Sequence, residues 1–130
     1  MASNLTVDTL TKGAVTLNTD ELVDTNSTQV CKAWVNFNGT GTVAIRASYN
    51  VSSITDNGTG LYTINFTTAM SDVNYSVCAT SSWEPTAPNA PGTVGPSTSG
   101  TYSTSAIRLS SGQGTATLFD SPLIMAQIFR

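Results

Sequence analysis

Short runs of alternating apolar and polar residues dominate the chain and predict β-strands throughout. In Gln29–Phe37, QVCKAWVNF, the residues Cys31, Ala33, Val35 and Phe37 fall on one face. Lys32, Trp34 and Asn36 fall on the other, which is the period of two expected of a half-buried strand. Asn38-Gly39-Thr40-Gly41 then supplies a turn. Val43, Ile45, Ala47 and Tyr49 share a face opposite Arg46 and Ser48. Asp56-Asn57-Gly58-Thr59-Gly60 predicts a hairpin, because Asn and Gly accept the positive φ that tight turns need. Tyr62, Ile64 and Phe66 alternate with Thr63, Asn65 and Thr67, and Tyr75, Val77 and Ala79 mark a further strand.

Between Ser81 and Ser103 the period breaks. This stretch, SSWEPTAPNAPGTVGPSTSGTYS, holds four of the five prolines and predicts a long loop, 81–103. Regularity resumes at Ile107 and Leu109, turns at Gly112-Gln113-Gly114, continues through Ala116–Asp120 and ends with Leu123–Arg130. In that last segment Leu123, Met125 and Phe129 lie on one face and Ile124, Ala126 and Ile128 on the other. A strand apolar on both faces is either central in its own subunit or shared between its own core and a partner. The modest hydrophobic total favours the second, which places Ile124 and Ile128 at a subunit contact. Residues 1–26 carry only short β signals at Leu5, Val7, Leu10, Val15 and Leu17, too few for a core of their own. They read as an N-terminal extension, frayed or paired with neighbouring chains, ahead of a main domain at 27–130. About seven or eight closely spaced strands with no amphipathic helix predict an all-β antiparallel sandwich.

Composition sharpens this picture. Only 10% of residues are charged, while Ser, Thr and Asn make up more than a third, so hydroxyls and amides hydrate the surface in place of ions. The net charge of −3 and the scattered Lys12, Lys32, Arg46, Arg108 and Arg130 speak against nucleic acid as a partner. No run approaches the roughly 20 apolar residues of a membrane span, so no membrane insertion is expected. Met1–Leu10 lacks the basic start and apolar core of a signal peptide, so a chain beginning here is expected in the cytoplasm of the cell that makes it. There Cys31 and Cys78 should stay reduced, as two buried thiols. Seven Asn-x-Ser/Thr tripeptides, beginning at Asn4 and ending at Asn74, follow from the composition without implying glycosylation.

Catalytic equipment is sparse. The chain has no histidine, no GxSxG elbow, no P-loop and no paired-Cys metal spacing. Neither an enzyme nor a metal or other cofactor is expected. The eight Asp and Glu leave carboxylate-pair hydrolysis formally open, yet Asp56 and Asp72 sit in turn contexts where Asp bonds its own backbone. The better candidate for function is the Pro-stiffened loop, where Trp83, Glu84, Asn89 and Tyr102 offer aromatic faces and polar groups suited to sugars. The competing reading has Trp83 packed into the core and the loop capping the sandwich.

The stretch Lys32–Phe66, KAWVNFNGTGTVAIRASYNVSSITDNGTGLYTINF, resembles a domain near the C-termini of bacteriophage tail fibre proteins, including those of marine and cyanobacterial phages. The pieces that carry the resemblance are KAWVNFNGTG, IRASYNVSSITDNGTG and YTINF, over a quarter of the chain, and NLTVDTLT is similar to the short repeated strands of fibre shafts. The resemblance implies an intertwined or side-by-side homotrimer at the distal end of a fibre, assembled in the host cytoplasm and carried on the virion. Its partner would be a host surface glycan or outer-membrane protein, and Ile124 and Ile128 become candidates for the trimer interface. Trp83, Glu84, Asn89 and Tyr102 become candidates for the receptor contact. A purely structural terminating domain, or a secreted carbohydrate-binding module or adhesin, are the alternatives.

Overall fold

A computed structural model describes residues 9–12, 15–18, 30–82, 91–97, 99–113 and 117–130. The chain divides into two compact units, Met1–Val30 and Cys31–Arg130. In the first, β1 (Thr9–Lys12) and β2 (Val15–Asn18) form an antiparallel hairpin in which Leu10 stands opposite Leu17.

The second unit is all-β and antiparallel, with no helix among the described residues. Its strands are β3 (Cys31–Asn38), β4 (Ala44–Tyr49), β5 (Val51–Asp56), β6 (Leu61–Phe66), β7 (Ser76–Ser82), β8 (Pro91–Pro96), β9 (Ala106–Gln113), β10 (Thr117–Leu118) and β11 (Ile124–Phe129). They follow one hydrogen-bonded path, β4-β3-β11-β7-β8-β9-β6-β5, with β10 added beside β9. The path curls until it is nearly a barrel, and its two edge strands are consecutive in sequence. Asn50 turns between them at φ 55°, a left-handed value that Asn tolerates better than most residues. Its amide nitrogen donates to the carbonyls of Lys32 and Thr68, and its side-chain oxygen accepts from the Thr68 N–H.

Strand β8 lies inside the stretch predicted as a long loop, and that expectation is corrected. Its first residues pair with β7, Gly92 opposite Ser81, and the remainder pairs with β9, Thr93 opposite Gly112. Prolines open and close the strand, and neither occupies the central ladder positions where a missing N–H matters most. Glycines at two of the four positions between them leave no apolar period to read.

The core joins both halves of this path. Ala33, Val35 and Phe37 of β3 and Ile124, Ala126 and Ile128 of β11 meet Tyr62, Ile64 and Phe66 of β6 and Ile107 and Leu109 of β9. The Phe37 and Tyr62 rings pack edge to face with centroids 5.2 Å apart. Ile124 and Ile128, expected at a subunit interface, are fully buried in the chain's own core. Strand β11 lies between β3 and β7, so its inward face is used up within one chain. Only Met125, Gln127 and Phe129 point the other way.

Cys31 and Phe129 are register partners, so the first and last strands of this unit meet at one end, here called the near end. Ser76 opens β7 there, opposite Phe129. At the far end Ile124 stands between Phe37 and Ser81. An ion pair between Arg130 and Asp72 fastens the last residue at the near end and holds the Asp72 carboxyl below its ordinary range.

Candidate functional site

The outward face of β4-β3-β11-β7 is built by strict alternation. With Ala33, Val35 and Phe37 turned inward, Trp34 must face solvent, and 39% of it is exposed. Across β3, Trp34 is the partner of Tyr49 on one side and of Gln127 on the other, and Gln127 in turn faces Cys78. The row Tyr49–Trp34–Gln127–Cys78 therefore crosses four strands. A second row, Ala47–Asn36–Met125–Thr80, runs beside it. Register partners on one face have Cβ atoms roughly 5 Å apart. Trp34 and Tyr49, the latter 59% exposed, thus stand on neighbouring strands of a face that also carries amides.

Tyr49 reaches this face because of a β-bulge. Asn36 pairs with Ala47 but Phe37 pairs with Ile45, which leaves Arg46 as an extra residue on β4. Below the bulge, Val43 packs against the core; above it, Ala47 and Tyr49 turn outward with Asn36 and Trp34. The sequence expectation that Val43, Ile45, Ala47 and Tyr49 share one face is corrected accordingly. The guanidinium of Arg46 donates to the Pro122 carbonyl at 2.6 Å and reaches the Asn36 side-chain oxygen at 3.4 Å, so it lies along the second row. Lys32 is itself the extra residue of a second bulge, between the Ala33–Ile128 and Cys31–Phe129 pairs.

The acidic side chains among the described residues are held in contacts of their own. Asp72 is paired with Arg130, Asp120 is engaged by Tyr62 and the Gly60 N–H, and Asp56 accepts from the Gly58 N–H in the turn after β5.

The far end gives the platform its rigidity. The buried Tyr62 hydroxyl donates to the Asp120 carboxylate at 2.7 Å and lies 3.0 Å from the Gly39 carbonyl. Asp120 also accepts from the Gly60 N–H, and the Gly39 N–H donates to the Ser121 carbonyl. Both glycines are required. A Cβ on Gly39 would come within 2.5 Å of the Tyr62 hydroxyl, and Gly60 combines φ +65° with the Ser111 carbonyl 2.4 Å from where its Cβ would stand. Desolvation, followed by the Asp120 carboxylate, pushes the Tyr62 hydroxyl well above its ordinary range and keeps it neutral. This network ties the turns at Gly39 and Gly60 to the segment before β11. No cluster of three or more His, Cys, Asp or Glu suited to a metal occurs among the described residues.

Of the residues singled out in the sequence, Trp83, Glu84 and Asn89 lie outside the described residues. Tyr102 is described, and it lies away from the paired strand ends at Ser82 and Pro91. Those two residues pair at the far end, whereas Tyr102 stacks on Tyr75 at the near end, with centroids 4.6 Å apart and planes 8° from parallel. The length of β7, roughly 20 Å for its seven residues, separates the two places. The Tyr102 hydroxyl donates to the Tyr75 carbonyl, so one face and the polar tip of this ring are spent on the fold. Cys31 and Cys78 are free thiols as expected, but they are not buried: Cys31 is half-buried and Cys78 exposed.

Sequence reasoning placed Trp34 opposite the apolar face of its strand without treating it as a site. An aromatic among the polar positions of an alternating strand was the available signal. Tyr49 gave none, since one inserted residue decides its side. No family model, curated protein or solved structure matches the chain.

Proposed function

We propose that this chain is the distal, receptor-facing domain of a bacteriophage tail fibre, a binding module without catalytic chemistry that works as a homotrimer. The observation that carries the reading is the solvent-facing pair Trp34 and Tyr49, set on a sheet that the core and the far-end network hold rigid. Both residues fall within Lys32–Phe66, the stretch that resembles phage fibre domains. Binding surfaces gain affinity when aromatic groups are fixed before the partner arrives.

In this reading the halves β4-β3-β11-β7 and β9-β6-β5 act as the two layers of a sandwich. The trimer forms through the near end, where Val73 and Tyr102 are 46% and 41% exposed, and the outward sheet face stays available to a host surface glycan or outer-membrane protein. The domain travels on the virion after assembly in the host cytoplasm.

Two measurements test it. Light scattering behind size exclusion should give about three times the 13.5 kDa chain mass, since identical chains close under cyclic symmetry. Fluorescently labelled protein should stain some strains of a bacterial panel and compete with phage adsorption on them. A trimer that stains no strain would be a terminating domain, and a monomer would remove the fibre reading.

A further inference from the structure

We infer that Asn57 deamidates itself: the Gly58 nitrogen attacks its side-chain amide, Asp56 takes the proton and Arg108 holds the developing charge. The inference goes beyond receptor binding and does not depend on it.

Asn-Gly occurs twice in the chain, at 38–39 and 57–58, and a glycine after Asn puts no side chain in the way of ring closure. The fold treats the two pairs differently. Asn57 and Gly58 are exposed in the turn between β5 and β6, and nothing stands within 4 Å of where a Gly58 Cβ would be. The Gly58 N–H donates to the Asp56 Oδ1 at 2.9 Å, so a carboxylate already meets the proton that the nucleophile must lose. The Arg108 Nη2 donates to the Asn57 Oδ1 at 2.9 Å, where charge develops as the carbonyl is attacked. Arginine can only donate, so this contact also fixes which end of the amide faces it. The Asn57 Nδ2 donates to the Thr63 Oγ1 at 2.9 Å and to the Thr55 carbonyl at 3.1 Å, which holds the amide against rotation. Base, electrophile and charge stabiliser thus meet at one hairpin.

The other pair is built to resist. Gly39 is buried, its N–H donates to the Ser121 carbonyl at 2.9 Å, and the Tyr62 hydroxyl lies 2.5 Å from where its Cβ would stand. The Asn38 Oδ1 accepts from the Thr40 hydroxyl at 2.8 Å. Neutral groups therefore take the places that Asp56 and Arg108 hold at the exposed turn.

The step needs no reagent other than water, and nothing is oxidised or reduced. The Gly58 nitrogen bonds to the Asn57 Cγ and passes its proton to Asp56. The tetrahedral centre carries its negative charge on Oδ1, against Arg108. As it collapses, the bond from Cγ to Nδ2 breaks, and that nitrogen takes the proton from Asp56 and leaves as ammonia. Water then opens the cyclic imide at either carbonyl, giving aspartate, or isoaspartate with the backbone rerouted through the side chain. The product adds one negative charge to a chain of net −3 and removes the Nδ2 donor that Thr63 and Thr55 share.

Peptide mapping of the whole native chain, held at mildly alkaline pH and sampled over days beside a sample unfolded in guanidinium chloride, tests this. In the native sample Asn57 should lose ammonia and then gain water as aspartate and isoaspartate, while Asn38 stays an amide. In the unfolded sample the two sites should convert at similar rates, and native Asn57 should outpace both. Asp56→Asn keeps an acceptor for the Gly58 N–H but no base. It should slow native conversion about tenfold, less than a buried general base supplies because the turn is open to water. Arg108→Gln should slow it about fivefold, since a surface charge is screened. Melting temperatures show whether each variant is folded. If Arg108→Gln unfolds the chain, because its stem packs beside Gly100, then Asp56→Asn and the unfolded comparison carry the test. Slower conversion of Asn57 in the folded chain than in the unfolded one would mean that its hydrogen bonds lock the amide, and would overturn the inference. So would conversion of native Asn38 at the same rate as Asn57, or a wild-type rate in folded Asp56→Asn.

Discussion

The hydroxyl of Tyr62 and the carboxylate of Asp120 stand 2.7 Å apart, 58 residues distant in sequence, and join β6 to the segment before β11. Through the Gly60 N–H and the Gly39 carbonyl the same pair also fixes two turns. Tyr62→Phe should cost about 1–2 kcal/mol of stability, the net value of a buried hydrogen bond plus the acceptor it leaves short, measurable by urea unfolding. The pH dependence has a definite sign. The folded state holds the Tyr62 hydroxyl above its ordinary value of 10.0, so between the two values the folded chain binds the extra proton. This contribution is whole below about pH 10 and is lost as pH rises further. Alkaline denaturation should be steeper in wild type than in Tyr62→Phe, and equal slopes would contradict the role of this hydroxyl.

Ile128 offers a sharper contrast between core and interface. Because it is fully buried within one chain, Ile128→Ala should lower stability by about 2–5 kcal/mol through transfer and cavity terms. The oligomeric mass of the folded fraction should not change. Chains that stay fully stable but fall apart into monomers would return Ile128 to an interface.

Tyr102 is expected to behave as a clip. Tyr102→Ala removes the stack on Tyr75 and the bond to its carbonyl, for a loss of about 1–3 kcal/mol. Burial, and then the neighbouring Tyr102, pushes the Tyr75 hydroxyl up to about 12. Cell staining should be unaffected below the new melting point. A binding loss without a stability loss would restore Tyr102 as a receptor contact.

The thiols should react at different rates. In native protein, Cys78 should be modified by a maleimide well before Cys31, whose Sγ donates to the Ala33 carbonyl at 3.2 Å. Intact mass before reduction should show no disulfide.

Alternation made much of this architecture readable. Ala33, Val35 and Phe37 are buried as their period requires, and so are Tyr62, Ile64 and Phe66. What failed did so for local reasons. Strand β5 was missed because Val51-Ser52-Ser53-Ile54 lacks alternation and lies at an edge, where packing asks less of it. β8 was hidden by its prolines and glycines. β11 was misjudged because two apolar faces say nothing about which strands flank them, and that depends on pairing across the whole chain. The Trp34–Tyr49 surface needed the register of β3 against β4, including a bulge whose extra residue, Arg46, looks like any other exposed cation in the sequence.

Pairing of Cys31 with Phe129 has an evolutionary reading as well. A unit whose first and last strands lie side by side can be spliced into a loop of another protein, or exchanged between proteins, without stretching the recipient. The sheet face that carries Trp34 and Tyr49 is then free to change with each new target, while the junction stays the same. A circular permutant that links residue 130 back to residue 31 through a few glycines and opens at the exposed Gly41–Thr42 turn should therefore fold. Such a permutant would turn this domain into a portable recognition cassette.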